Sequence, residues 1–184
     1  MNAKILITGP PRCGKSTLIS KLINYYSKKN YIIRGFLTPE VKKDEIRIGF
    51  DVINILTGKK ARLARIGSYK TRFKLGKYKI FIDEFEEIIS NLDLNENEKR
   101  SLIIIDEIGK MELFSIKFQN ILKRIFNSNI SILATIGQKL SHPLNDYILK
   151  IPGVVLFNLT SQNQQKLFQE IISILKKTFS QKNY

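Results

Sequence analysis

Gly9-Pro10-Pro11-Arg12-Cys13-Gly14-Lys15-Ser16 decides how this chain folds. The eight residues fit G-x-x-x-x-G-K-[ST] and lie between two segments of different period. Before them runs the short apolar stretch Ala3 to Thr8, which reads as a buried strand; after them Leu18, Ile19, Leu22 and Ile23 recur at helical spacing. Between strand and helix, glycines let the backbone turn its N–H groups inward, and the helix N-terminus adds the positive end of its dipole. Such a unit holds phosphate. Lys15 is expected to reach the β- and γ-phosphates and the Ser16 hydroxyl to hold Mg²⁺, so Gly9 through Thr17 form the expected nucleoside-triphosphate loop.

Outward from the loop the pattern is α/β. Tyr31 to Thr38 reads as a strand, and Glu45 to Leu56 alternates with period two (Ile46, Ile48, Phe50, Val52 and Asn54 on one side) after a turn at Lys42-Lys43-Asp44. Leu63 to Ile66 and Lys77 to Ile82 are further short strands, punctuated by Gly58, Gly67 and Gly76. Strands joined by connections this short pair antiparallel, because a parallel crossover needs a dozen or more residues. A β-rich extension over about 36–82 is therefore expected along one edge of a mostly parallel sheet. Residues 84–100 read as a helix and a polar turn. A helix over Ser115 to Phe126 carries Ile116, Ile121, Leu122 and Ile125. Ile130 to Thr135 and Val154 to Phe157 read as buried strands, and a closing helix is expected to bury Leu167, Phe168, Ile171, Ile172 and Leu175. Gln181 to Tyr184 read as a loose end.

The 184 residues suffice for one domain, 1–184, and no apolar stretch approaches the ~20 residues that span a bilayer. Met1-Asn2-Ala3-Lys4 runs straight into the first strand, so no cleavable signal is expected and the protein is expected in the cytoplasm. Cys13 as the single cysteine and His142 as the single histidine exclude a disulfide and a cysteine- or histidine-rich metal site. The net charge of +15 points to a polyanionic partner, or to a lysine-rich background composition, since 23 of the 31 basic residues are lysine. The latter reading is favoured. The charge is uneven: residues 42–79 hold twelve Lys/Arg against three acids, and 83–98 hold seven acids and no Lys/Arg.

The second chemical element is Asp106-Glu107, at the end of the apolar run Leu102-Ile103-Ile104-Ile105. A strand buried on both faces that ends in paired acids suits the metal-holding strand of a P-loop NTPase. Asp106 is expected to hold Mg²⁺ through water, and Glu107 to take a proton from an attacking water. Asp106-Glu107-Ile108-Gly109 also fits D-x-x-G, but neither Ala134-Thr135-Ile136-Gly137 nor Asn158-Leu159-Thr160-Ser161 supplies the Asn-Lys-x-Asp that reads guanine. Strict guanine specificity is not expected.

Ile105-Asp106-Glu107-Ile108-Gly109-Lys110-Met111-Glu112-Leu113-Phe114 resembles the signature of the small thermophile-type nucleoside-triphosphatases, whose vertebrate relative is the cancer-related nucleoside-triphosphatase. The loop with Thr17 is similar to that family's, as are Gly35-Phe36-Leu37-Thr38, Glu40-Val41, Arg47 through Val52, Leu63-Ala64-Arg65 and Phe157-Asn158-Leu159-Thr160. The likeness runs from about Ala3 to Ile174. It implies a RecA-like three-layer α/β sandwich and Mg²⁺-dependent hydrolysis of nucleoside triphosphates to diphosphate and phosphate, with broad base tolerance. The chain departs at Arg12, where such loops often carry a small residue; Arg12 either adds a phosphate contact or faces solvent.

Hydrolysis builds charge on the γ-phosphoryl oxygens, so a cation beyond Lys15 helps. Lys110, Arg65 and Arg47 are the candidates in that order, an ion pair on a strand face being the rival role for each arginine. Thr135 either senses the γ-phosphate or caps its strand. Cys13 offers a small side chain, and His142, before Pro143, opens a turn. The leading expectation is a monomeric nucleoside-triphosphatase. The alternatives are a nucleotide or small-molecule kinase and a nucleic-acid-stimulated ATPase, with no membrane partner.

Overall fold

The computed structural model describes residues 2–90, 92 and 100–180. In chain order its elements are β1 (Lys4–Thr8), α1 (Lys15–Ser27), β2 (Ile32–Leu37), β3 (Glu40–Lys43), β4 (Ile46–Asn54), β5 (Lys60–Ile66), β6 (Phe73–Leu75), β7 (Tyr78–Ile80), α2 (Ile82–Ser90), β8 (Ser101–Ile108), a 3₁₀ turn (Glu112–Phe114), α3 (Ile116–Phe126), β9 (Ser131–Ile136), α4 (Pro143–Leu149), β10 (Val154–Asn158) and α5 (Gln164–Ser180). The strands form one sheet in the order β10-β1-β9-β8-β2-β4-β5-β7-β6, with β3 paired to β4. From β10 to β2 every pairing is parallel; from β4 outward every pairing is antiparallel. The expected α/β sandwich with an antiparallel extension is what forms.

Helices cover both faces. Leu18, Ile19 and Leu22 of α1 and Leu167, Ile171 and Leu175 of α5 close one core with Ile5, Ile7, Ile104 and Leu133. Residues of α2, α3 and α4 close the other with Leu6, Phe36, Ile105 and Ala134. There Phe36, Phe85 and Phe118 meet edge to face at 5.3–5.4 Å between ring centroids, fixing α2 and α3 on β2. A strand covered on both sides can be apolar throughout, which is why β8 and β9 lack alternation. Lys4 ties the start of β1 to the end of α3: its buried ammonium donates to the carbonyls of Ile125 (2.7 Å), Ser128 (2.8 Å) and Ile130 (2.8 Å).

Several expectations are corrected. Val154 to Phe157 is not a buried strand: β10 is the sheet's edge, with Val155 40% and Leu156 46% exposed. Lys42 and Lys43 belong to β3, and the turn falls on Asp44-Glu45, whose positive φ angles of 48° and 60° suit the tight hairpin turn that matches strand twist. Strand β5 starts at Lys60 rather than Leu63. Ile116 is 65% exposed, and Phe118 and Phe126 bury beside Leu122 and Ile125 instead. Phe168 is only partly buried and meets the Tyr25 ring edge-on. Strand β6 and helix α4 were not foreseen. The expected polar turn after α2 and the loose end at 181–184 lie outside the described residues, apart from Leu92 and Arg100.

Candidate active site

Strand β9 lies between β1 and β8, so the loop after β1 and the acids ending β8 both border it. All three strands point their C-terminal ends the same way, the end where ligands gather in such sheets. Helix α1 starts at Gly14, whose φ of +100° is left-handed, and has neither a side-chain cap nor an acid in its first turn. Its first N–H groups and the positive end of its dipole are thus left for an anion. Lys15 folds back over the loop, its ammonium donating to the carbonyls of Gly9 at 3.0 Å and Pro10 at 3.4 Å. Gln164 steadies this start from α5, donating to the Gly14 carbonyl (3.2 Å) and accepting from Lys21 (2.9 Å).

Asp106 is buried and wrapped in hydroxyls. Thr135, on β9, donates to its Oδ1 at 2.5 Å, and the Ser16 hydroxyl lies near enough to the same carboxyl to favour its charged form. Thr38, just past β2, donates to its carbonyl at 2.7 Å. Burial pushes the Asp106 carboxyl above its ordinary value, while Thr135, Ser16 and nearby Lys15 pull it back. Glu107 also lies high, chiefly through burial; Lys15 opposes the rise and Asp106 adds to it. The β8–β9 register breaks between Ile105 and Ile108, so this pair stands out of the regular ladder. Gly109 leaves the Glu107 carboxyl room, since a Cβ there would come within 3.1 Å of its Oε1, and Gly137 lies beside the same oxygen.

The Ser16 hydroxyl and the Asp106 carboxylate, side by side, are hard oxygen donors of the kind Mg²⁺ takes. Among the described residues no three His, Cys, Asp or Glu side chains cluster as a protein cage. Mg²⁺ needs none, because it usually binds one or two carboxylates together with substrate phosphates.

The other named residues are spread more widely. Pro10, Pro11, Arg12 and Thr17 are exposed, Cys13 is half-buried, and Arg12 takes a left-handed φ of 64°. Ile108 and Gly109 are buried, and Lys110 is exposed in the turn after β8. Arg65 does not extend from its strand into the loop: it donates to Asp51 and to the carbonyls of Phe50 (2.6 Å) and Ala64 (2.8 Å). Asp51 is buried, which raises its carboxyl, but Lys60 at 2.6 Å and Arg65 outweigh that and hold it below the usual range. Arg47 binds Glu40 (2.7 Å) and the Tyr78 hydroxyl (3.0 Å). His142 caps α4, accepting the Leu144 N–H on Nδ1 at 3.1 Å.

A profile of the family described as NTPase matches residues 4–172 of this chain. The chain belongs to the NTPase family. It is 42% identical to the nucleoside-triphosphatase THEP1 of Thermotoga maritima over 174 residues, 94% of this chain and 95% of that one. It is 33% identical to the human cancer-related nucleoside-triphosphatase over 187 residues, 96% of this chain and 98% of that one. The crystal structure of THEP1 from the hyperthermophile Aquifex aeolicus superposes with a TM-score of 0.79 at 35% identity, covering 94% of this chain and 98% of that one. In this NTPase, sequence reasoning missed Thr38 and Glu112 as neighbours of the acids. Thr38 stood in the quoted Gly35–Thr38 run and Glu112 in the quoted ten-residue signature, but neither lies next to Asp106 in sequence. No helix among the described residues is long and apolar enough to cross a membrane.

Proposed function

We propose that this chain is a nucleoside-triphosphatase that hydrolyses nucleoside 5′-triphosphates to the diphosphate and phosphate, depends on Mg²⁺, tolerates different bases, and acts as a single-domain cytoplasmic monomer. The observation that carries the reading is the meeting of Ser16, Thr135 and Asp106 beside the uncapped start of α1, with Glu107 next in the chain. Membership of a family whose relatives are named nucleoside-triphosphatases supports the substrate class.

The loop from Gly9 to Thr17 receives the phosphates on its N–H groups. Lys15 exchanges the carbonyls of Gly9 and Pro10 for phosphate oxygens. Ser16 and, through water, Asp106 would hold the metal, which when bound would neutralise phosphate charge. Glu107 orients a water and accepts its proton as the water oxygen attacks the γ-phosphorus and the bond to the β,γ-bridging oxygen breaks. Ile108, Gly109 and Lys110 line the phosphate side, with Lys110 offering the further cation. Arg47 and Arg65 serve the extension in the state described, so they rank behind Lys110. Base tolerance follows from the missing guanine-reading motif at the ends of β9 and β10.

The test is phosphate release from ATP, GTP, CTP and UTP, with and without Mg²⁺, and with nucleoside monophosphates or RNA and DNA added. Base-tolerant, metal-dependent release indifferent to the additives is expected. Phosphate transferred to a monophosphate, or release that depends on polynucleotide, overturns the reading in favour of a kinase or a nucleic-acid-stimulated ATPase.

A further inference from the structure

Glu112 is a buried acid that the reaction above leaves without a task. It opens the 3₁₀ turn just beyond the Asp106–Lys110 run and is only 5% exposed. Its carboxyl lies against the backbone N–H groups of Gly109 and of its own residue, which partly offset the effect of burial on it. The chain comes close to itself here: a Cβ on Gly109 would lie 2.6 Å from Oε2 of Glu112 and 3.1 Å from Oε1 of Glu107. The space that glycine leaves open is therefore where the two carboxyls meet. From β8, Asp106 and Glu107 face Glu112, both acidic; from α2, Glu86 holds the neighbouring Ser115 hydroxyl at 2.6 Å. Two adjacent carboxyls away from water do not both ionise readily. Burial, with Glu107 adding to it, pushes Glu112 up to about 8, so it holds its proton near pH 7.

A neutral, backbone-anchored carboxyl against a second one that must point at a water has a specific use. We propose that Glu112 is a positioning residue for hydrolysis: it fixes the Gly109 turn and the side of Glu107, so that Glu107 faces the attacking water. The proposal rests on Glu107 acting as the base. It does not make Glu112 a proton carrier, since its anchoring requires no change of charge during turnover.

The test compares Glu112→Gln, which keeps the shape of the neutral acid, with Glu112→Ala, which removes it. Steady-state phosphate release and hydrogen exchange at the Gly109 amide are read on the full chain. Glu112→Gln should keep kcat within about threefold, whereas Glu112→Ala should lose about 10- to 100-fold in kcat at unchanged KM, the scale of a misaligned catalytic group. Gly109 exchange should quicken in the alanine variant alone. Wild-type kcat or unchanged Gly109 exchange in Glu112→Ala overturns the proposal, as does a glutamine variant as slow as the alanine one. Should the alanine variant not fold, Gly109→Ala pushes a methyl between the same carboxyls and must lower kcat; full activity there also overturns it. A wild-type chain inert towards every triphosphate sinks the hydrolase reading, and Gly109 exchange then decides on the anchoring alone.

Discussion

Glu112→Gln should make the protein more stable, by an amount that grows with pH. The folded chain holds this carboxyl near 8, against an ordinary 4.5. An unfolded chain therefore releases the proton at a pH where the folded one still keeps it. That difference favours folding fully below the ordinary value, and the advantage drains away as pH rises towards the folded one. Each pH unit in the window is worth about 1.4 kcal/mol. Counted from its acid limit, the wild type should have lost just under ~1 kcal/mol at pH 5 and about 3 kcal/mol at pH 7, with a plateau beyond pH 8. Glutamine does not titrate, so the stability gap between variant and wild type traces this curve, offset by whatever the amide gains or loses at acid pH. Urea melts of both proteins, free of metal and nucleotide, from pH 4.5 to 8.5 measure it. Asp106 and Glu107 titrate in both chains and largely cancel, although losing a neighbour eases Glu107 slightly. A gap that stays flat within about 0.5 kcal/mol across that range would falsify the neutral buried acid, because the two folded states would then bind equal numbers of protons.

Glu107→Gln should bind triphosphates as the wild type does and release phosphate about 10²-fold more slowly, the usual cost of removing a general base, as nucleotide titration beside a turnover assay will show. Lys15→Ala should weaken triphosphate binding itself, read as a raised Kd in the same titration. Gly35→Ala should destabilise by about 4 kcal/mol or more, since φ is +109° there and the new Cβ would overlap the Ile104 carbonyl in neighbouring β8; denaturant midpoints measure it. Lys4→Met removes three charge-assisted bonds at the end of α3 and should cost about 3 kcal/mol in the same melts, the ammonium's desolvation offsetting part of the loss.

What could be read from the chain was what local chemistry compresses into a few neighbouring residues. A phosphate cradle needs its glycines, lysine and hydroxyl in one turn, and a metal-side acid needs a buried strand directly before it, so loop and paired acids were both visible. The antiparallel extension was visible for a similar reason, since short connections leave no room for crossovers. Strand β3 was hidden because its tight turn uses Asp44-Glu45 rather than the Asn-Gly or Asp-Gly that usually marks positive φ. Helix α4, seven residues led by Pro143, is too short for periodicity to register. The misreading of β10 has another cause: Val154 to Phe157 is as apolar as a central strand, and only the strand order reveals an edge. Lys4 and Glu112 are ionisable side chains whose burial depends on partners far along the chain or across a backbone contact, which no spacing rule encodes.

The strand order also explains how two adjacent acids acquire different characters. Because β9 separates β1 from β8, its Thr135 reaches Asp106 from one side while Ser16 reaches it from the loop, and the carboxyl is held by hydroxyls that can give way to other ligands. The Glu107 carboxyl lies beside Gly109 and Gly137 instead, and no described residue hydrogen-bonds its side chain. Burial raises both carboxyls, but the one beside hydroxyls is fixed in place as an acceptor, whereas the one without donors keeps a free lone pair. In the proposed reaction those are the distinct needs of a metal-side ligand and a base. The division of labour thus depends on one threonine of an inserted strand. Thr135→Val should accordingly impair the Asp106 side, raising the Mg²⁺ concentration needed for half-maximal turnover, while saturating Mg²⁺ restores most of kcat. A variant that lost kcat at every Mg²⁺ concentration with no change in metal demand would place Thr135 in the chemical step and break the argument.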